Sequence, residues 1–550
     1  MGPGQRALRI ILLLTSALVL FGGPALRAGW ALDDQETIEE NPLVAGERPA
    51  MHAFGQDYWH HRGDAGLYRP LVTLSLRFNR AWLGNSPGGF HGINLALHLG
   101  VVFWAGVVLL LMRPHCRLPW FGWALFALHP VQSEAVVWIA GRSSSLCALV
   151  GLIPLAMHLA GQKSQRASGV RSGAWAFVGV LLPLLVKEDG LAFAALWWLL
   201  PGAAKRSRRI CVLIALVAIA GLRIWALGGL GLDPSHGALG STPLAERIPL
   251  GLGILGKGAA CILWPPLALQ EVDGSGMGWQ VLGALLLLGI CVRIGRLYSM
   301  GQDQFAWAGA LCLSLLPWLQ WFPSPELFGP RYLYLPLLFL IPLLPRLPNG
   351  RTVSIRLYAL QLILLTGLLT PVVHRLSAGF HSPLAYWLQR TEHRSGESRS
   401  WSGLAHALLK DGPRTAESNR VIRGHFERAI SIDPNYSRPH VGLATLARRM
   451  EKPELEQRHL RRAISIAQGN AIAWANMGAL QLRQKNCTAA AESYSRATLL
   501  QPGRAAFWRG LARSHAGMDQ MALAEEAIQE ARRLAPSDPL TLKWYERLVR

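Results

Sequence analysis

Two adjacent carboxylates, Asp33 and Asp34, stand just past the first apolar run, in Trp30-Ala-Leu-Asp-Asp-Gln-Glu. Of the 17 acidic residues in the first 380 positions, eight fall between Asp33 and Asp64. A carboxylate pair kept where a helix leaves the bilayer is costly, so such residues are functional candidates by default. The bland alternative is an acidic loop that only wets the surface. Other polar motifs follow in apolar surroundings. Gly89-Phe-His91-Gly-Ile-Asn94-Leu-Ala-Leu-His98 sets His91, Asn94 and His98 on one helical face. That row can hydrogen-bond neighbouring helices, line a substrate cavity or, least expected because no carboxylate accompanies it, ligate a metal. His129-Pro-Val-Gln-Ser-Glu134 closes a later apolar run and Arg142 follows it; Lys187-Glu188-Asp189 comes next. Finally, Glu326-Leu-Phe-Gly-Pro-Arg331-Tyr-Leu-Tyr334 puts Arg331 at the entrance of an apolar run. A lone cation there snorkels to headgroups. Cations that converge with carboxylates hold a phosphate instead.

These motifs must be positioned by membrane helices. The 550 residues are 51% hydrophobic and only 16% charged, with a positive mean hydropathy of +0.24. Soluble domains carry about 25% charged residues. The deficit lies before about residue 380, so a membrane domain over 1–380 and a soluble domain over 381–550 are expected, with a first external loop at 29–90. A span needs about 20 apolar residues. Candidates are 8–26, 91–112, 119–137, 143–161, 173–186, 190–202, 210–230, 250–269, 278–295, 305–322, 331–346 and 355–373. The pieces flanking Lys187-Glu-Asp-Gly are short and read as a hairpin or broken helices, which are tolerated where backbone lines a protein cavity. Residues 1–28 read as an uncleaved first helix, because Arg27 interrupts the small-residue pattern of a signal-peptide cleavage site.

Net charge is +22 and the pI about 10.4. Many of the cations sit in short loops at 113–117, 163–171, 205–209 and 293–296. That is the positive-inside pattern, and no basic stripe is interleaved with aromatics, so nucleic-acid binding is not expected. Arg6 and Arg9 put the N-terminus in the cytoplasm and loop 29–90 outside. Twelve spans would return the C-terminus inside; inner loops at 293–296 and 346–351 require an odd total, with one candidate re-entrant near 230–270. The count is thus eleven or twelve. Seven scattered cysteines have neither metal spacing nor a disulfide framework.

The soluble part repeats every 34 residues. Ala429, Ala463, Ala497 and Ala531 keep that spacing, as do Pro434, Gln468, Pro502 and Pro536. Trp474, Gly478, Ala490, Tyr494 and Pro502 within 471–504 resemble the tetratricopeptide pattern. Units are expected at about 395–436, 437–470, 471–504 and 505–538. Such helix pairs stack into a solenoid whose concave face binds peptide.

Taken in order, Asp33-Asp34, Tyr68-Arg69-Pro70-Leu-Val-Thr-Leu-Ser, Gly89-Phe-His91-Gly-Ile-Asn94, Leu128-His129-Pro130-Val-Gln-Ser-Glu134 through Arg142, Lys187-Glu188 and Arg331-Tyr-Leu-Tyr-Leu-Pro resemble the transmembrane and tetratricopeptide-repeat O-mannosyltransferases of the GT-C class, as a bacterial relative. The resemblance runs along essentially the whole chain. It implies an all-α fold: a polytopic GT-C-like helical domain followed by a tetratricopeptide-repeat α-solenoid. It implies transfer of a sugar from a polyprenyl-phosphate-sugar donor to a Ser or Thr hydroxyl of a protein or peptide engaged by the repeats. Asp34 or Asp33 would be the general base, and Arg331, Lys187 and Arg142, then Arg69, would hold the donor phosphate. Glu134 would orient one of these groups or the acceptor, and His91 would line the substrate region. No visible motif calls for a metal or another cofactor; the lipid-linked sugar is a substrate. Leu32 stands where the family often has an aromatic residue. The implied setting is the bilayer of a bacterial inner membrane, with the repeats on the periplasmic side beside Asp34. Two other readings share this sequence: an inactive membrane scaffold that assembles an envelope or secretion complex through its repeats, and a transferase acting on a lipid or polysaccharide acceptor.

Overall fold

The computed structural model describes residues 3–61, 66–112, 120–163, 169–202, 204–230, 243–270, 274–299, 304–316, 328–344 and 354–549. Its regular elements are all helical among these residues. Glu326 and the basic loops at 113–117 and 346–351 lie outside them, as does most of the 163–171 loop.

Seven helices are long and apolar enough to cross a membrane: Gly4–Arg27, Pro87–Met112, Arg142–Gln162, Gly169–Val186, Lys205–Leu227, Met277–Ser299 and Ile355–His381. The chain is an integral membrane protein. Some of these helices leave apolar rows uncovered. Val281, Leu285, Leu288 and Val292 share one exposed face of the Met277–Ser299 helix, and Leu360, Ile363, Leu364 and Leu368 are exposed on the helix that begins at Ile355. Unbroken apolar rows of this kind suit hydrocarbon rather than water.

Three other expected spans are shorter, for local reasons. The 119–137 candidate stops as a helix at Leu128, because His129 precedes a proline and is extended (φ −68°, ψ 127°). A 3-10 turn at Pro130–Gln132 and a five-residue helix at Ser133–Val137 follow. The 190–202 candidate is the nine-residue helix Leu191–Leu199. It is separated from Gly169–Val186 by the extended Lys187 (φ −161°, ψ 151°) and the turn Glu188–Gly190. The 331–346 candidate enters through the extended Gly329 and a turn at Pro330–Leu333 before the helix Tyr334–Leu340. Each break therefore falls on or beside one of the polar motifs, which leaves those side chains on irregular backbone buried inside the protein.

The chain divides into two compact units. The first holds Met1–Asp34, Met51–Gln56 and Tyr68–Ser382. The second holds Pro383–Arg550 together with Gln35–Ala50 and Asp57–Leu67. Much of the loop that the sequence assigns to the membrane domain is thus built into the repeat unit.

Within the second unit the 34-residue period becomes helix pairs: Ser398–Asp411 with Ala416–Ile432, Ser437–Arg449 with Pro453–Ile466, Ala471–Arg483 with Cys487–Leu500, and Ala505–Ala516 with Met521–Leu534. Thr415, Asn470 and Asn486 cap three of these helices, their side chains accepting N–H groups at 3.1 Å. Tyr494 wedges between successive pairs, and only glycine fits opposite its ring, at Gly478 and Gly510. Glu451, Lys485 and Asp519, again 34 apart, form left-handed turns inside the pairs (φ +56°, +60° and +58°). Segments of the loop that belong to this unit join it through polar contacts. Arg48 donates to the carbonyls of Arg533 and Leu534, both at 2.7 Å, and so caps the C-terminus of a helix. Lys410 Nζ donates to Gln35 Oε1 at 2.9 Å. His61 Nε2 lies 3.1 Å from the Glu36 carbonyl, and burial, His60 and Arg504 push the imidazole down to about 3.

Candidate functional site

Asp34 is fully buried at the start of the short helix Asp34–Ile38. Two residues earlier, Leu32 adopts a left-handed conformation (φ +51°), which is strained for a bulky residue. That turn folds the chain back, so Asp34 Oδ2 accepts the Ala31 N–H at 3.0 Å. Its Oδ1 accepts the Ala140 N–H at 3.3 Å. Burial, followed by the adjacent Asp33 carboxylate, raises the Asp34 pKa well above the ordinary carboxylate range; the two N–H groups and Arg142 oppose this without reversing it. Once ionised, a carboxylate so placed is a stronger base than an exposed one.

The segment from Glu134 to Arg142 connects the other motifs. Glu134 pairs with the Arg331 guanidinium through Oε1 and accepts the Arg331 backbone N–H on Oε2 at 2.9 Å. Trp138 lies under that guanidinium, 4.9 Å from ring centroid to Cζ. The Trp138 and Ile139 carbonyls accept from Asn94 at 2.8 and 3.2 Å. Gly141 makes this turn possible, because a Cβ there would collide with the Glu134 carbonyl. Arg142, wholly buried, donates to Asn94 Oδ1 (2.9 Å), Asn79 Oδ1 (3.0 Å) and the Phe90 carbonyl (3.1 Å).

Arg331 and Lys187 share an aromatic face. Tyr332 lies 4.8 Å from the Arg331 Cζ and 5.0 Å from Lys187 Nζ. Ser144 joins them by polar contacts: its hydroxyl donates to the Arg331 carbonyl at 3.4 Å and accepts from Lys187 Nζ at 3.3 Å. Lys187 also pairs with Asp189 at 2.6 Å. Next to it, Glu188 binds Arg69 at 3.1 Å and Arg223 at 3.3 Å. Burial alone would raise the Glu188 pKa, but Arg69 and Arg223 outweigh it and hold the carboxyl at about 2. The structure therefore brings Arg331, Lys187 and Glu134 into one network, and sets Arg69 in a second one on the neighbouring residue, Glu188. Oriented cations of this kind suit an oxyanion such as a phosphate.

The polar row bonds helix to helix. His91 Nε2 lies 3.1 Å from the Gly29 carbonyl, Asn94 holds the turn at Trp138, and His98 meets Tyr334 Oη at 2.8 Å and the Ala127 carbonyl at 3.1 Å. Sequence reasoning set Tyr332 beside Arg331 but missed Arg223 and Ser144. Only Arg223 carried a signal, as a cation inside the apolar helix Lys205–Leu227. Among the described residues no group of three or more His, Cys, Asp or Glu could hold a metal ion.

No family model matches the chain. Solved structures similar to it in fold include PilF of Pseudomonas aeruginosa (22% identity, 28% of this chain and 67% of that one, TM-score 0.26). Another is YrrB, described as a TPR protein with an unusual peptide-binding site (20% identity, 34% and 90%, TM-score 0.25). Among curated proteins, the chain is 33% identical over 180 residues to protein O-mannosyl-transferase TMTC2 of Homo sapiens, covering 31% of this chain and 21% of that protein. It is 28% identical over 225 residues to protein O-mannosyl-transferase F38B6.6 of Caenorhabditis elegans (38% and 31%), and 29% identical over 191 residues to TMTC4 of Homo sapiens (30% and 26%). The curated homologues of this membrane and tetratricopeptide-repeat chain are thus protein O-mannosyl-transferases, and it spans about a fifth to a third of their length.

Proposed function

We propose that this chain is a membrane glycosyltransferase of the GT-C type that moves a sugar from a polyprenyl-phosphate carrier to a Ser or Thr hydroxyl of a protein. The observation that carries the reading is Asp34: a buried carboxyl with a raised pKa, fixed by two backbone N–H groups beside a strained turn. As the acceptor hydroxyl attacks the anomeric carbon, Asp34 takes its proton. The bond from that carbon to the phosphate oxygen breaks, and the charge left on the phosphate needs cations. Arg331 and Lys187, joined through Ser144 and Tyr332, supply them. Arg142, committed to Asn94, Asn79 and Phe90, positions the turn that binds Asp34 rather than the donor.

The repeats act outside the cytoplasm, on the side of the membrane where Asp34 lies. This reading is supported by loop segments 35–50 and 57–67, which follow Asp34 in the chain and belong to the repeat unit. A transferase acting on a translocated protein needs base and acceptor in one compartment. The test is labelling of intact cells with an impermeant thiol reagent, using single cysteines at Met51 and Asp519. Labelling of both supports the arrangement. Labelling of the first alone makes the repeats cytoplasmic and moves the balance to the scaffold reading. Mass spectrometry of envelope glycoproteins with and without this chain tests the activity itself.

A further inference from the structure

The repeat helices divide their charge unequally. In the last three pairs, the first helices Ser437–Arg449, Ala471–Arg483 and Ala505–Ala516 carry Arg438, Arg448, Arg449, Arg483, Arg509 and Arg513 and no acidic residue at all. The helical acids of these pairs sit on the second helices, Glu454 and Glu456, Glu492, then Glu525, Glu526 and Glu530, where they offset Arg458, Arg461, Arg462, Arg496, Arg532 and Arg533; Glu451 and Asp519 stand in the turns.

The cations converge in space. The Tyr494 ring lies against Gly478 and Gly510, on the two helices that carry Arg483 and Arg509 with Arg513. Burial raises the hydroxyl's pKa, and Arg513, Arg483, Arg509 and Arg448, from the first helices of three successive pairs, act to pull it down. Two of the four are already paired: Arg483 with Glu456 at 2.7 Å, and Arg509 with Asp538. Arg448 and Arg513 are exposed and make no ion pair with a described residue. Arg513 instead stacks on the Trp544 ring at 5.2 Å, which holds its fork in place. Nor does the Tyr494 hydroxyl hydrogen-bond to a described residue. Two open guanidinium forks beside an open hydroxyl donor form a receptor for carboxylates.

We propose that this face of the repeats binds an acidic segment of the acceptor polypeptide, with carboxylates meeting Arg448, Arg513 and the Tyr494 hydroxyl. The inference rests on the reading that the repeats engage a protein acceptor, and it adds what that acceptor presents. Charge complementarity selects the occupant. A nucleic acid would also want aromatic faces for its bases, whereas Tyr494 is buried edge-on between Gly478 and Gly510 and offers only its hydroxyl.

The test uses the full-length protein in lipid nanodiscs and measures the anisotropy of a labelled peptide. One peptide places Ser and Thr among Glu and Asp; its counterpart has Gln and Asn in their stead. A single-stranded oligonucleotide of matched charge is the third probe. Exposed ion pairs contribute little singly, so the two together, with the Tyr494 hydroxyl, correspond to about tenfold tighter binding of the acidic peptide. That preference should shrink between about 50 and about 200 mM salt and should vanish in the double variant R448Q/R513Q, whose exposed side chains leave the fold intact. Equal binding of the two peptides, tighter binding of the oligonucleotide, or an unchanged double variant would each overturn the proposal. Transfer to a neutral acceptor separates the outcomes. If transfer persists while acidic preference is absent, only this inference fails; absence of transfer to any protein acceptor removes the reading beneath it.

Discussion

Glu134 and Arg331 are bound twice over: one carboxylate oxygen pairs with the guanidinium and the other accepts the arginine's own backbone N–H at 2.9 Å. The contact fixes the direction in which Arg331 points as well as its charge. Glu134→Gln should therefore weaken binding of a polyprenyl-phosphate analogue by about tenfold, the loss of one charge-assisted hydrogen bond. Arg331→Lys should weaken it too, since an ammonium loses the planar fork. Native affinity in Arg331→Ala, measured by titration in detergent, would mean that the residue only snorkels.

Asp34→Asn should lower sugar transfer by two or more orders of magnitude, about the contribution of a general base. The same substitution should raise thermal stability at neutral pH. A raised folded-state pKa means that the native chain holds the proton more tightly than the unfolded one. That stabilisation is complete below the ordinary carboxylate value and fades as pH rises through Asp34's own. An asparagine never ionises, so it escapes the loss. In the native enzyme the transfer rate should climb with pH through the same raised value, and Asp33→Asn should shift that limb to lower pH by removing the neighbouring charge. Full activity in both single variants and in the double variant would sink the assignment.

Arg142→Lys should damage the fold rather than the donor site. Three buried acceptors from Asn94, Asn79 and Phe90 would compete for one ammonium. We expect destabilisation of about 2–3 kcal/mol, read as a fall in melting temperature. The fraction still folded should bind the donor analogue with near-native affinity; a selective loss of donor affinity at unchanged stability would return Arg142 to the phosphate site.

Glu188 offers a test by acid. Its pKa is held at about 2, so its contribution is complete above the usual carboxylate value and is lost as pH falls toward about 2. Glu188→Gln should be less stable than native at pH 7, and the gap between the two melting temperatures should narrow as the medium is acidified. A gap that stays constant with pH would mean that the two arginines do not depend on the charge.

Lys485→Gly should stabilise the repeats by about 1 kcal/mol, because the left-handed turn costs an L-residue that much and glycine nothing. Denaturant melts followed by circular dichroism would show the gain. Loss of stability would mean that chain entropy or the lysine side chain outweighs the strain.

The repeats were the most legible part of the sequence. Small residues at Gly478, Ala490 and Ala497 recur because helix pairs cannot otherwise close, so the period survives in the letters. The left-handed turns follow the same period but were invisible, since Glu451, Lys485 and Asp519 share no chemistry. In the membrane domain the polar motifs could be seen, yet their partners could not: His91 is explained by Gly29, 62 positions away, and Glu134 by Arg331, 197 positions away. Span lengths misled where the chain breaks at a polar motif. Apolar composition continued through His129, while Pro130 forced it to be extended and ended the helix; at Lys187 an extended residue and a turn separate two helices.

Arg48 lends its guanidinium to a helix end at Arg533 and Leu534, and this has a consequence for biosynthesis. The loop leaves the ribosome early, and the carbonyls it caps are made more than 450 residues later. At ordinary elongation rates the wait is roughly half a minute to a minute and a half. For that interval a segment carrying Glu36, Glu39 and Glu40 has no solenoid to rest on. A ribosome that stalls before the final repeat leaves the loop undocked beside the proposed base, a state that a membrane protease or chaperone can tell apart from the finished protein.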